Sequence, residues 1–356
     1  LLATPWYLDQ VKRKTYNAMP VPSQLTHEDY RDGTNDQIFL MSKGEWETVF
    51  ANLKDQGAPE ETFAEFRKYL TQDSMTLKDA IRFLKTKSAN KDEILKMIYG
   101  EKYERMNFLP VSKFILPVNK ANALKSGIIS QKDLAQTVDY IPIDYKRTTL
   151  FKNNIMMLDI LANFDWNRQI NFSSGGIYDN ENIFYLKEYL EFEGFSYKLV
   201  PIKTEEREDG ELGRADADRL YNIVKNYKWG NFKDQNVHFD GTAQQNIVGY
   251  RSSASRAAEA LSLSGQKQKA LEILDLASKE IPVEKYNDPR SLSSMVYGYI
   301  VAGQEQKGLK LTEELKKGIF QEYDYYTSLP LSEQKYLGRQ MRTKPLEYSL
   351  VAGAVS

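Results

Sequence analysis

The chain has 356 residues and a formal net charge of -1, from 48 basic and 49 acidic side chains. This length is sufficient for a large core and is typical of more than one domain. The balanced charge leaves no broad basic face, so we expect no nucleic-acid partner. The absence of cysteine excludes disulfides, thiolate metal sites and a cysteine nucleophile.

The first residues carry no targeting signal. The sequence begins Leu1-Leu-Ala-Thr-Pro-Trp6, without an initiator methionine or the basic-then-apolar pattern of a signal peptide, which indicates a fragment of a longer protein. No run approaches the roughly 18 to 20 apolar residues that span a bilayer, so no membrane-spanning helix is predicted. Residues 5–33 predict one short helix followed by extended chain.

Modest amphipathic helices are predicted for residues 45–53, 60–70 and 77–85. Thr76 and Asp79 form a capping pair at the start of the third helix. Because the apolar faces of these helices are narrow, we expect them to lie on the surface and not in the core.

Residues 113–118 and 140–144 predict strands that each contain a proline. Proline cannot donate a ladder hydrogen bond, so these strands are expected at sheet edges or in irregular pairing. Residues 204–218 are highly charged and predict a solvated loop.

The segment from residue 155 to 203 determines the predicted fold class. Residues 155–162 predict a core helix, 168–172 a short strand, 181–190 a second helix that Gly194 ends, and 195–200 a second strand. Helices that alternate with strands imply crossovers and a partly parallel sheet. The predicted class is therefore mixed α/β with a partly parallel sheet.

Beyond Asp240 only helices are predicted. Gly265-Gln-Lys-Gln-Lys-Ala-Leu271 and Gly303-Gln-Glu-Gln-Lys-Gly-Leu309 align at a spacing of 38, each after a helix rich in small residues. This pattern is typical of tetratricopeptide hairpins. We therefore divide the chain into an α/β domain, residues 1–238, and a tetratricopeptide-like all-α domain, residues 239–356.

No residue pattern predicts a metal or cofactor site. His27 and His238 are far apart and lack partners at ligand spacing, so both are expected on the surface. Asp32, Asn35 and Asp36 lack the order of a calcium-binding loop and are expected to stabilise a turn. We assign no catalytic residue, no metal and no cofactor.

One turn is a candidate ligand site. Ser173, Ser174, Gly175 and Gly176 follow a predicted strand and precede a predicted helix, where backbone N–H groups can bind an anion; a plain connection is the alternative. Glu191 and Glu193 are too close in sequence to flank a glycosidic bond and are expected to be exposed.

The order of several short motifs resembles the C-terminal soluble region of a family of bacterial multi-pass membrane proteins related to protein O-mannosyltransferases. The matching runs are Pro5-Trp-Tyr-Leu-Asp-Gln10 with Lys12-Arg-Lys14, Tyr30-Arg-Asp-Gly-Thr34, Met156-Met-Leu-Asp-Ile-Leu161 with Trp166-Asn-Arg168, Gly194-Phe-Ser-Tyr-Lys-Leu-Val-Pro-Ile202, and Lys228-Trp-Gly230. The chain departs from the family pattern at Gln169, where proline is usual, and at Lys198, where arginine is usual.

The resemblance implies that catalysis belongs to a membrane-embedded half of the same polypeptide, so no glycosyl-transfer residue is assigned here. It also implies that this region lies outside the cytoplasm, at the periplasmic face of the inner membrane. The leading hypothesis is a non-catalytic module that binds or positions a protein or glycan acceptor. The alternatives are a soluble sugar- or anion-binding enzyme domain with its site near Ser173–Gly176, and an oligomerisation scaffold.

Overall fold

The computed structural model describes residues 20–174, 177, 179, 183–207 and 210–353. The chain divides into two compact units. Of the described residues, the first unit comprises those up to Leu190 together with those within Leu199–Glu211, and the second comprises Glu191–Lys198 together with those from Leu212 onward. Across the described ranges, no helix combines the length and the hydrophobicity needed to cross a membrane. Most of the predicted N-terminal helix and extended segment lies outside the described residues.

The strands are β1 (Gln37–Leu40), β2 (Met75–Thr76), β3 (Met106–Leu109), β4 (Lys113–Pro117), β5 (Tyr140–Asp144), β6 (Thr149–Leu150), β7 (Asn171–Ser173), β8 (Leu190–Phe192) and β9 (Ser196–Leu199). The helices are α1 (His27–Tyr30), α2 (Lys43–Asp55), α3 (Glu60–Ala64), α4 (Leu77–Lys85), α5 (Ala89–Tyr99), α6 (Lys120–Lys125), α7 (Lys152–Ala162), α8 (Ala217–Lys225), α9 (Gly241–Leu263), α10 (Lys267–Glu280), α11 (Pro289–Val301), α12 (Glu305–Ser328), α13 (Leu331–Gln334) and α14 (Gly338–Gly353). Short 3-10 turns occupy Arg67–Leu70, Gly100–Arg105, Gln131–Gln136 and Lys187–Tyr189.

Small mixed sheets form the first unit. One has the order β3-β1-β6, with β1 parallel to β3 and antiparallel to β6. Another has the order β2-β4-β5, with β2 parallel to β4 and β4 antiparallel to β5. Each parallel pair is joined through intervening helices, as parallel strands require. The structure thus confirms a mixed α/β region with partly parallel sheets, followed by a helical region.

The two proline-containing strands pair with each other. Pro142 lies in β5, which is at the sheet edge as predicted. The other strand, β4, is central, but its proline is the last residue and pairs with Tyr140. A missing N–H at a strand end interrupts no ladder inside the strand, which explains why a central position is tolerated.

The expectation that the first three predicted helices lie on the surface is wrong. α4 buries Leu77, Ala80, Ile81, Phe83 and Leu84 because it packs on β3, β4 and α7 at once. Trp46 of α2 is also fully buried, and its Nε1 donates to the carbonyl oxygen of Pro110 at 2.8 Å.

The predicted helix over residues 60–70 is interrupted after Ala64. The interruption places Phe66 in the core, where its ring centroid lies 6.0 Å from that of Trp46. The apolar spacing identified these helices but not how many sides of each are covered.

The predicted core helix corresponds to α7, and its apolar face is buried. By contrast, the described part of the predicted helix over residues 181–190 is not an α-helix. Phe184 and Tyr185 have positive φ angles of 53° and 59°, a 3-10 turn follows, and β8 begins at Leu190. Phe184 is fully buried with its ring 5.1 Å from that of Tyr145, so packing of large rings outweighs the local helix preference.

Gly194 does not end a helix, as the sequence predicted, but turns the chain between β8 and β9. Its φ is +84°, and Glu193 N donates to Ser196 O at 2.8 Å. A Cβ at this position would overlap the hydroxyl oxygen of Tyr227. The strand predicted after the turn is confirmed as β9.

Paired helices form the C-terminal part of the second unit. α9 packs against α10 and α11, and α11 packs against α12. At one end α8 contacts α9 and α10, and at the other end α14 contacts α11 and α12.

The predicted spacing of 38 reappears as two turns of the same geometry. Gly265 and Gly303 both have a φ of +79°. The next residue in each turn donates its backbone N–H to the preceding helix, from Gln266 to Leu261 O at 2.7 Å and from Gln304 to Tyr299 O at 2.8 Å. The two hairpins are therefore repeats in backbone geometry as well as in sequence.

Candidate functional site

The predicted turn lies only partly within the described residues. Ser173 is the last residue of β7 and Ser174 follows it, and both side chains are exposed. Gly175 and Gly176 lie outside the described residues. Because residues 183–190 form turns and the start of a strand, the helix N-terminus expected to complete an anion site is absent from this described segment. The ligand role of the turn stays a prediction.

Both predicted surface histidines are exposed. Within the described residues, no group of three or more His, Asp or Glu side chains could hold a metal ion. Asp36 stabilises its turn by accepting from Gly33 N at 3.1 Å. Partial burial opposes ionisation of Asp36, but hydrogen bonds from Lys152 and Arg105 hold its pKa below the ordinary value.

The expectation that Glu191 and Glu193 are exposed is wrong. The side chain of Lys198 is completely buried, and its Nζ lies 2.7 Å from Glu191 Oε1 and 2.9 Å from Glu193 Oε1. Arg219 also pairs with Glu193, at 2.9 Å. Strand alternation does not predict this arrangement, because buried carboxylates need cations supplied from other parts of the chain.

A cavity of about 590 Å³ lies in the first unit at the C-terminal ends of the parallel strands β2 and β4. We call it the strand-end pocket. It is lined by Thr76, Leu77, Lys78, Leu116, Pro117, Val118, Asn119, Lys120, Asp139, Leu161, Ala162, Phe164 and Asp165. Its size is typical of small-molecule sites, and ligands of α/β proteins commonly bind at strand C-termini.

The strand-end pocket has an apolar floor and a polar rim. Leu116, Leu161, Ala162 and Phe164 are buried and form the floor. The charged rim residues are more exposed and comprise Lys78, Lys120, Asp139 and Asp165. Lys120 Nζ pairs with Asp139 Oδ1 at 2.7 Å, so two of the four rim charges neutralise each other.

The rim residue Asp165 is held in place by neighbouring side chains. Its carboxylate accepts from Asn122 Nδ2 at 2.8 Å and from Asn119 Nδ2 at 3.2 Å. The next residue, Trp166, is fully buried with a φ of +58°, and its Nε1 donates to Pro117 O at 2.8 Å. A left-handed conformation costs a bulky residue about 1–2 kcal/mol, so the surrounding contacts must stabilise it.

Sequence reasoning missed this pocket. It follows the strand predicted at residues 113–118 and includes the corner after the predicted core helix, yet β2 has only two residues and no sequence signal of its own. Polar residues directly after a strand, here Asn119 and Lys120, are a usable signal for such a site. The pairing of Met75 with Phe114, which brings the two strand ends together, has no local signature.

A second cavity of about 550 Å³ in the first unit is lined by Arg31, Thr34 and the buried Lys91, among others. Lys91 Nζ donates to the carbonyl oxygens of Phe83, at 2.8 Å, and of Leu84 and Thr86, both at 3.4 Å. Burial lowers the pKa of Lys91 to about 7. Its donors are occupied at the C-terminal end of α4, so Lys91 caps that helix.

Comparison with known proteins identifies one family. The family described as TMEM260-associated domain 2 matches residues 1–219. No curated protein and no solved structure matches the chain. The matched region includes every residue of the strand-end pocket and the Lys91 cavity. Since the match extends over more than half of the chain, the chain belongs to the TMEM260-associated domain 2 family.

Proposed function

We propose that the chain is a non-catalytic, extracytoplasmic module that positions a protein or glycan acceptor for a membrane-embedded, glycosyltransferase-like half of the same polypeptide. In this proposal it lies at the periplasmic face of the inner membrane. Two observations motivate the proposal. The sequence motifs resemble the soluble region of bacterial multi-pass membrane proteins related to protein O-mannosyltransferases, and the family description associates the domain with TMEM260.

The observation that carries the proposal is the pair of repeated hairpins α9–α10 and α11–α12. Stacked helical hairpins of this kind, joined by equivalent turns, present extended surfaces on which other molecules bind. We assign them to the tetratricopeptide type. About three repeats are needed for an independent solenoid, and α8 and α14 cover the two ends of this shorter stack.

Close packing and a buried arginine connect the hairpins. A Cβ at Gly298 would lie only 2.9 Å from Leu274 Cδ2, so glycine permits α11 to approach its neighbours closely. The guanidinium of Arg251 donates to Ile281 O at 3.1 Å, Tyr286 O at 2.9 Å and Ser291 Oγ at 3.1 Å. These contacts fix the first hairpin to the segment that begins the second, which supports a rigid binding surface.

The proposal is tested in the full-length protein by deleting residues 1–356 and measuring glycosylation of the acceptor. We expect acceptor glycosylation to be lost while the membrane-embedded half remains present at its normal level. A smaller deletion of residues 239–356 tests the hairpins separately. Unchanged acceptor glycosylation after the larger deletion would refute the proposal.

The strand-end pocket favours a second candidate function, a soluble sugar- or anion-binding enzyme domain. Its place at strand C-termini is where such a site was expected, although on different strands from Ser173–Gly176. A thermal-shift screen against neutral sugars, sugar phosphates and nucleotide sugars tests it, because a ligand at about 100 times its Kd stabilises the folded state by about 2.7 kcal/mol. Absence of stabilisation by every compound would count against this candidate.

A further inference from the structure

We infer that the strand-end pocket binds an uncharged, hydroxyl-rich ring, such as a neutral saccharide unit, in preference to an anion. The inference rests on the second candidate function, a sugar-binding domain, and names the ligand class of its pocket. It depends on the arrangement of the floor, on the charge of the rim and on the fixed position of Asp165.

The distribution of apolar and polar groups matches an amphipathic ring. Accessible apolar lining comes from the exposed Pro117, the half-buried Val118 and the edge of the mostly buried Phe164, and the rim places charged groups around it. A saccharide ring has C–H groups on its faces and hydroxyl groups at its edge. Such a ring can cover the apolar floor while its hydroxyls reach the rim.

The rim charges disfavour an anion. The lining contains two lysines and two aspartates, and the Lys120 ammonium is already paired with Asp139. An anion in the pocket would gain from Lys78 but would lie near the carboxylate of Asp165, which carries the same sign. The N-terminus of α4 offers little compensation, because Asp79 already occupies the first turn and Asp79 N donates to Thr76 Oγ at 3.1 Å.

Hydroxyl groups suit the same rim because each can donate and accept. The Asp165 carboxylate is acceptor-only, and two asparagine amides hold it, so it keeps lone pairs that can accept from hydroxyl donors. The exposed Lys78 supplies N–H donors for hydroxyl oxygens. One neutral ligand can thus hydrogen-bond to both the Asp165 carboxylate and the Lys78 ammonium.

The experiment compares rings that differ in charge, using the 356-residue chain and isothermal titration. The probes are glucose, N-acetylglucosamine, glucosamine, glucuronate and glucose 6-phosphate. We expect the uncharged sugars to bind more tightly than the charged forms. Lys78→Ala and Asp165→Asn should each weaken binding of the neutral sugar about ten-fold, the effect of losing one hydrogen bond to a charged group.

Matched controls come from α2, where Lys54 and Asp55 are exposed neighbours outside the pocket. Lys54→Ala and Asp55→Asn should leave the affinity unchanged, and Lys78→Ala removes an exposed side chain without disturbing the fold. The inference is overturned if glucose 6-phosphate or glucuronate binds more tightly than glucose. It is also overturned if no neutral sugar binds at millimolar concentrations. The same holds if both pocket variants bind the neutral sugar with the affinity of the control variants.

The outcomes separate this inference from the proposed function. If no neutral sugar binds but deletion of the module still abolishes acceptor glycosylation, the positioning function stands and the pocket assignment fails. If sugars bind with the expected dependence on Lys78 but deletion has no effect on glycosylation, the pocket assignment stands and the positioning function fails.

Discussion

The buried ammonium of Lys91 should make the stability of the first unit depend on pH, and Lys91→Met should remove that dependence. Lys91 Nζ lies among three carbonyl oxygens at the end of α4 and 4.6 Å from the ring centroid of Phe83. Burial is the main cause that lowers its pKa, and the charges of Asp92 and Glu65 oppose the effect. The folded protein therefore binds this proton more weakly than the unfolded chain.

The sign and the size of this change in the free energy of unfolding with pH follow from the pKa of Lys91 in the unfolded and in the folded state. The group has an ordinary pKa of 10.5 in the unfolded chain and about 7 in the folded protein. Between these values the unfolded chain binds the extra proton, so the free energy of unfolding rises with pH. The slope approaches about 1.4 kcal/mol per pH unit, and the full change from this group is about 5 kcal/mol. Below pH 7 the penalty is fully present, and above pH 10.5 it is absent.

The measurement is denaturant unfolding of wild type and Lys91→Met from pH 7 to 10, followed by tryptophan fluorescence. A background in which Trp6 and Trp229 are replaced by Phe leaves Trp46 and Trp166, both within the first unit, as reporters. Methionine leaves three carbonyls without the ammonium, but that cost is independent of pH. The free energy of unfolding of the wild type minus that of the variant should therefore rise from pH 7 to pH 10.

Lys54→Met, at an exposed position of α2, provides the control and should give a pH-independent difference from wild type. If the difference between wild type and Lys91→Met is also flat, the ammonium retains its ordinary affinity for the proton. That result would refute the reasoning that burial outweighs the three carbonyl contacts.

The other predictions concern buried polar contacts and one strained turn. Lys198→Met should destabilise the second unit by about 2–3 kcal/mol in denaturant unfolding, because it removes the buried ammonium that Glu191 and Glu193 share and leaves only the half-buried Arg214 and Arg219 to pair with them. The exposed Lys279→Met should cost less than about 0.5 kcal/mol, and a loss below about 1 kcal/mol at Lys198 would contradict this. Gly194→Ala should lower the free energy of unfolding by at least about 2 kcal/mol. In a double-mutant cycle Tyr227→Phe should restore part of this loss, because it removes the oxygen that the new Cβ meets. Additive losses of stability in the two variants would argue against that contact. Asp159→Ala should speed amide hydrogen exchange at residues 24 and 25 at least about ten-fold, since both backbone N–H groups donate to its carboxylate, at 2.9 and 3.2 Å; unchanged exchange would exclude this anchoring role.

Local sequence patterns predict those helices, strands and caps that are stabilised mainly by residues within the same segment. The apolar spacing of α7, the alternation of β9 and the Thr76–Asp79 cap all appear in the structure. Prediction failed where distant residues supply the stabilising contact. Phe184 leaves the helical region to pack near Tyr145, and that contact has no signature in residues 181–190.

The candidate site shows the same division between local and distant information. The composition of the corner after α7 was visible, but its role as a pocket rim depends on amides from Asn119 and Asn122, more than 40 residues earlier. Likewise, Glu191 is buried because Lys198 pairs with it across the β8–β9 turn. A sequence pattern can place a carboxylate next to a strand, but the cations and amides that stabilise it determine whether it is exposed.

Repeated sequence provides long-range information that single elements lack. Lys269 of α10 and Lys307 of α12 are 38 residues apart, and each forms an ion pair with an acidic residue of an earlier helix. Lys269 pairs with Asp218 at 3.7 Å, and Lys307 pairs with Asp275 of α10 at 2.8 Å. Because Asp218 belongs to α8, an ion pair joins α8 to α10, just as an ion pair joins α10 to α12. The lysines thus follow the 38-residue spacing whereas the acids do not, so α8 forms a similar ion pair with the second unit's helices without being a copy of the repeat.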